Sequence, residues 1–266
     1  MTGMDDHRFP YVQVDGRAVA PDPLPTVLMG GFGHMTAMQV RSGRVRGLDL
    51  HLARLDSATR ELFGQELDGA LVTGRLRQAL EEAAATDASA RIYVYPPQEG
   101  PLPVTVVVVR PPAPEPAGQR LRSVSYLRPL AHLKHVGVFG QVYHLKRVAA
   151  EGFDEALLVG PDGMVAEGAI TNVGFLKADT VVWPQGPSLD GITMLLLRQE
   201  LDKAGIAWRE EPVPLADVDR FDAAIVCNSQ GIAAVTQIDD IRYPPDTAFV
   251  GTMQKMYEAV PWDELH

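Results

Sequence analysis

Four prolines in eight residues, PPAPEPAG from Pro111 to Gly118, constrain this chain more than any other feature. A proline has no N–H to donate and a locked φ, so neither a helix nor a central strand can continue through the stretch. It reads as an extended connector. The two sides of it follow different patterns. Upstream, LDLHLARLDSATRELFG and TGRLRQALEEAAA have the apolar spacing of amphipathic helices. Thr36–Val40, Ile92–Tyr95 and VTVVVV from Val104 to Val109 have the character of strands. Downstream, DEALLVG, a Pro161-Asp162-Gly163 turn, MVAEG, NVGFLK, an Ala178-Asp179 turn and TVVWP read as consecutive strands. GITMLLLRQELDKAG returns to helical spacing with Gly205 past its end, and AAIVCNS, the Gly231 turn and an extended segment follow. The expected α+β organisation is an N-terminal α/β domain over 1–112, a linker over 113–120 and a larger, mainly-β domain with flanking helices over 121–266.

At 266 residues and 46% hydrophobic, the chain can build a substantial core. A net charge of -10 argues against a nucleic-acid binder. The single cysteine, Cys227, excludes an intrachain disulfide and suggests a reducing compartment. No apolar run is long enough to span a bilayer, and the start lacks a basic then apolar leader pattern. The expectation is a soluble, cytoplasmic protein without a membrane partner.

Two lysines stand twelve positions apart in HLKHVGVFGQVYHLKRVAAEG. Lys146 and Arg147 fall on the sides of a helix whose apolar positions are Val142, Leu145, Val148 and Ala149, which is where solvated charges belong. Lys134 precedes that helix, among His132, Leu133 and Val136. A surface-loop lysine would look the same, so position alone leaves its role open. His132 and His135 form an H-x-x-H without a third ligand in view, which makes a poor zinc site. GGFGHM, Gly30 to Met35, lacks the strand-helix context of a phosphate-binding loop.

The larger pattern resembles the class IV, or fold type IV, pyridoxal-phosphate enzymes. These include branched-chain and D-amino acid aminotransferases, (R)-selective amine transaminases and 4-amino-4-deoxychorismate lyase. The resemblance rests on four motifs in order. They are His51-Leu52-Ala53-Arg54-Leu55-Asp56-Ser57-Ala58, the Gly152-Phe153-Asp154-Glu155-Ala156-Leu157-Leu158 strand, Ala166-Glu167-Gly168 leading to Asn172, and Leu189-Asp190-Gly191-Ile192-Thr193. It implies pyridoxal 5'-phosphate held between the two domains, a homodimer, and an amine or amino acid with a keto acid as substrates. It also implies that Lys134 forms the Schiff base and that Lys146 stays on a helix surface.

Chemistry supports these roles. An amine that must also act as a base benefits from burial, which favours its neutral form. An electron-accepting pyridine needs a carboxylate at its nitrogen, the role the resemblance gives Glu167. Ile192 and Thr193 open a helix whose N–H groups favour a phosphate, with the Thr193 hydroxyl as an added donor or a plain cap. Arg54 would add a charged contact. Asn228 and Ser229 match the second phosphate contact, or a structural Asx turn. Leu189 matches the residue packed on the ring face, or ordinary core, and Asn172 completes the cofactor set. Met35, Thr36 and Tyr95 fall on the substrate side.

Departures concern the substrate. Where the family has an aromatic residue and a glutamate, this chain has Met35 and Thr36, and the threonine is closer to the aminodeoxychorismate lyases. The Tyr95–Gly100 loop has no arginine, and Met194 stands where an arginine often follows G-I-T. A transaminase is the leading expectation. A pyruvate-eliminating lyase is its alternative, and an inactive binding protein is opposed by the presence of both Lys134 and Glu167.

Overall fold

The computed structural model describes residues 11–18, 31–97, 102–114, 116–244 and 247–265. The chain divides into two compact units. The first comprises residues 1–114, 134–137 and 261–266, and the second 115–133 and 138–260.

In the first unit the chain runs β1 (Tyr11–Val14), β2 (Arg17–Ala18), β3 (His34–Val40), β4 (Arg44–Val45), α1 (Leu48–Phe63), α2 (Gly69–Glu82), β5 (Ala88–Tyr95) and β6 (Val104–Arg110). Among the described residues all of these strands but β4 form an antiparallel sheet in the order β2-β1-β6-β5-β3. Alternation along β3 is strict: His34, Thr36, Met38 and Val40 point inward. Leu55, Val72, Leu76 and Ala79 of the two helices close the core against Met38, Val40, Ile92 and Val109. Gly47 and Gly64 flank α1 in the left-handed conformation, with φ of 65° and 68°, and so set both of its ends. The second helix starts four residues before the expected Thr73, because the Asp68 carboxylate accepts from Ala70 and Leu71 N–H. The Asp263–Glu264 strand pairs with β4, and the Asp263 carboxylate accepts from Leu48 N–H at 2.9 Å.

The second unit contains β7 (Gln119–Ser125), α3 (Phe139–Ala150), β8 (Glu155–Val159), β9 (Val165–Gly168), β10 (Asn172–Lys177), β11 (Thr180–Pro184), α4 (Ile192–Ala204), β12 (Trp208–Glu211), a 3-10 turn (Leu215–Arg220), β13 (Ala223–Asn228), β14 (Gly231–Ile238), β15 (Ile241–Arg242) and α5 (Thr247–Ala259). Its mixed sheet runs β12-β11-β10-β13-β14-β7-β8-β9, with β15 beside β14. One core layer joins Val173, Phe175, Val226, Val235 and Val218. Another packs α4 and α5 through Met194, Leu197, Leu201, Phe249 and Met253 onto Trp183, Ile225 and Cys227. Such burial contributes roughly 25 cal/mol per Å² of apolar surface. Cys227 lies wholly inside, where burial pushes its thiol up to about 12, so it is a small core residue. No helix among the described residues is long and apolar enough to cross a membrane.

Candidate active site

Lys134 belongs to the first unit through its backbone. Met35 N–H donates to the Lys134 carbonyl at 2.9 Å and Val136 N–H to the Gly33 carbonyl at 2.9 Å, while His135 bridges His34. Residues 134–136 therefore form a short antiparallel rung on the start of β3. Gly33 is required there, since a Cβ would lie 2.7 Å from both the Tyr95 ring and the Val94 carbonyl. Tyr95 is itself buried, its ring parallel to Tyr93. Met35 points to the half-buried face of β3, and Gln98, Glu99 and Gly100 of the expected substrate loop lie outside the described residues.

Two reciprocal polar pairs join β3 to α1. Thr36 Oγ1 lies 2.6 Å from His51 Nδ1, and His34 Nε2 lies 3.0 Å from Thr59 Oγ1. The Thr59 hydroxyl donates to the Leu55 carbonyl at 2.8 Å. Its one proton is thus committed, so His34 is the donor and carries hydrogen on Nε2. Burial pushes His34 down to about 4. His51 falls to about 3, through burial first and then the positive charges of Arg54 and Lys134. Both imidazoles are neutral at ordinary pH. The charges of Lys134 and Arg54 both reach His51, which gathers the amine, the guanidinium and the Thr36–His51 pair in one neighbourhood of this unit.

The second unit assembles around Glu167, a buried residue at the end of β9. Arg128 Nε donates to Glu167 Oε1 at 3.0 Å, and the same guanidinium donates to the Leu133 carbonyl at 2.5 Å and to the Ala131 carbonyl. Leu189 N–H donates to Glu167 Oε2 at 3.1 Å, and the Leu189 carbonyl accepts from Asn172 Nδ2 at 2.7 Å. Leu189 is therefore gripped at both backbone groups by residues on either side of the turn between β9 and β10. Gly191 follows because a Cβ there would lie 1.9 Å from Asn172 Oδ1.

Helix α4 begins at Ile192 behind Gly191, without a side-chain cap on its first N–H groups. An end of this kind favours an anion. The Thr193 hydroxyl donates to the Asn228 carbonyl at 2.7 Å, so what Thr193 offers an anion is its backbone N–H. Asn228 Oδ1 accepts from Gln230 N–H at 2.8 Å in an Asx turn, with the half-buried Ser229 between them. Met194 packs in the α4–α5 core. Lys146 is exposed on α3.

Arg128 is missed by motif reading, and Glu155 stands inside a motif without a role of its own. Arg128 sits in an apolar stretch, LRPLAHLK, and Glu155 opens an otherwise apolar strand, EALLV. A charge set among apolar residues is the signal that points to them.

Taken separately, the first unit supplies a primary amine, and the second a buried carboxylate, a glycine without room for a side chain and a helix start without a side-chain cap. This donor set suits a phosphorylated pyridine aldehyde. The amino-transferase class IV family profile matches residues 33–238. The chain belongs to that family. Its members' cofactor, pyridoxal 5'-phosphate, is therefore its own. A stretch of 97 residues is 31% identical to a probable branched-chain-amino-acid aminotransferase of Rickettsia felis, covering 36% of this chain and 33% of that relative. The fold is that of a hypothetical aminotransferase from Mycobacterium tuberculosis in its PLP-bound form, with a TM-score of 0.82 and 20% identity over 94% of this chain and 98% of the other. A Legionella pneumophila protein assigned as a 4-amino-4-deoxychorismate lyase has a TM-score of 0.81 and 19% identity, covering 91% and 98%. This class IV chain is thus a fold type IV enzyme.

Proposed function

We propose that the protein transfers an amino group from an amine or amino acid to a keto acid, with Lys134 as the covalent anchor of its cofactor. The bound cofactor supplies an aldehyde carbon that condenses with amines and a ring that accepts an electron pair. Lys134 would hold that carbon at rest and, once an incoming amine had displaced it, would carry the substrate α-proton as general base and acid. The charges of Arg54 and Lys134 are both felt at His51, so a second cation stands in the neighbourhood of the amine. Glu167 would hold a proton at the pyridine nitrogen, with Arg128 and Leu189 N–H fixing its two oxygens. Ile192 and Thr193 N–H groups, with Asn228, Ser229 and Arg54, hold the phosphate.

The observation that carries this reading is Glu167 itself, a buried carboxylate whose two oxygens are separately oriented by Arg128 and Leu189. Orientation of this kind suits a group that must hold one ring atom. Met35 and Tyr95 lie on the face of the sheet opposite the core-facing Thr36, so they form the substrate side while Thr36, expected there, is buried against His51. The Rickettsia likeness makes apolar amino acids the first donors to try.

One observation favours a second reading, the elimination of pyruvate from aminodeoxychorismate. Thr36, the residue that brings this chain nearer the lyases, carries a hydroxyl fixed at 2.6 Å from a neutral His51. A panel of donors with 2-oxoglutarate or pyruvate separates the readings. Transfer requires the keto acid, and pyruvate release without an acceptor would replace transamination with the lyase. The same reading expects a homodimer, which light scattering checks, and a cytoplasmic location, which cell fractionation checks.

A further inference from the structure

We infer that Glu155 is a positioning residue for the cofactor site, setting the shape of the turn that separates Glu167 from Asn172. This inference rests on the cofactor reading of those two residues.

Only residues 168–171 lie between the two ends that grip Leu189. Gly168 N–H closes the turn on the Thr171 carbonyl at 2.8 Å. Glu155 reaches into it from the start of β8. Its Oε2 accepts from the Thr171 hydroxyl at 3.0 Å and from Ile170 N–H at 3.3 Å, while Oε1 accepts from Ala156 N–H at 2.8 Å. Beside it, Ala169 N–H donates to the Ala156 carbonyl at 2.9 Å. No slack remains at the turn's narrow point: a Cβ on Gly168 would lie 2.1 Å from Thr171 Oγ1 and 3.3 Å from the Glu155 carboxyl. The tie continues outward. The Ile170 carbonyl accepts from Asn228 Nδ2 at 3.4 Å, and the Asn228 carbonyl holds the Thr193 hydroxyl.

Ala156, Leu157, Leu158 and Val159 bury apolar side chains, so an apolar residue at 155 would suit the core at less cost. Burial raises the carboxyl to about 7, which shows how unfavourable its surroundings are. An acid at such a place contributes acceptors, and those acceptors are spent on the turn. Glutamine keeps the size but presents an NH2 group to N–H and O–H donors. The turn must then relax, and the spacing of Glu167 and Asn172 with it.

The test measures binding of pyridoxamine 5'-phosphate, which carries no aldehyde and so does not depend on condensation with Lys134. Glu155→Gln and Thr171→Val are compared with the parent by calorimetric titration, each checked for folding by circular dichroism and for its thermal midpoint. We expect Kd to rise at least tenfold in E155Q and several-fold in T171V, with the double variant no weaker than E155Q alone. A lowered midpoint with unchanged Kd would overturn the positioning role and leave only a structural one. Should E155Q fail to fold, T171V, which removes one hydroxyl and leaves the carboxylate in place, decides alone. If the parent binds neither pyridoxamine nor pyridoxal phosphate, it is the cofactor reading that falls, and the proposal falls with it.

Discussion

Arg128 and Glu167 meet at 3.0 Å, Nε to Oε1, with side chains only 4% and 7% exposed. The same guanidinium holds the Ala131 and Leu133 carbonyls, so one residue orients the acid and the chain leading to Lys134. Replacing it with leucine leaves a buried carboxylate and two carbonyls without those donors. Breaking a buried pair costs about 3–5 kcal/mol. Denaturant unfolding of cofactor-free Arg128→Leu should show a loss of that size, with pyridoxamine phosphate affinity falling at least tenfold where the protein is still folded. Stability within about 0.5 kcal/mol of the parent would contradict the pairing.

Gly191→Ala tests the grip on Leu189. The new methyl can enter only if Asn172 swings away from the Leu189 carbonyl, because Oδ1 stands 1.9 Å from the ideal Cβ. Losing a buried hydrogen bond with its acceptor left behind costs about 1–3 kcal/mol. The prediction is that loss together with weaker cofactor binding, measured by unfolding and titration. Unchanged binding would show that Asn172 is not needed where it stands.

Stability should respond to pH through two buried groups of opposite sign. Glu155 titrates near 7 in the folded chain against an ordinary 4.5. Its contribution is fully present below 4.5 and is lost as pH rises through about 7. His51 titrates near 3 against 6.5, so its contribution is present above 6.5 and is lost as pH falls below it. Between pH 4.5 and 7, parent stability relative to Glu155→Gln should therefore fall by on the order of 3 kcal/mol as pH rises. Guanidinium unfolding across that range measures it, and a difference that stays constant would refute the assignment.

Much of this architecture is legible in the sequence. Gly205, at φ 66°, ends α4 where a left-handed cap is expected, and the hairpins from Glu155 to Pro184 follow their turn residues. Helix α5 is not announced, because Gly251 and the β-branched Thr247, Val250 and Thr252 blur its period. Strand β12, WREE, is polar because it lies at the sheet edge beside β11, where strand patterning is weak. Within the site, Glu167, Asn172, Leu189 and Ile192 follow from local motifs. The rung that ties Lys134 to Met35 spans 99 positions, and Arg128 meets Glu167 across 39, distances that no local pattern encodes.

Lys146 serves as the control for Lys134. Exposed on α3, it should tolerate Lys146→Met with stability within about 0.5 kcal/mol and unaltered turnover. A loss of activity there would assign the chemistry to the wrong lysine.

The most direct measurement is chemical. The protein is incubated with pyridoxal phosphate, reduced with borohydride, digested and analysed by mass spectrometry. One phosphopyridoxyl group on the peptide containing Lys134, absent from Lys134→Ala, is the predicted result. Modification of Lys146 or another lysine in its place, or a Lys134→Ala protein that still transaminates, would contradict it.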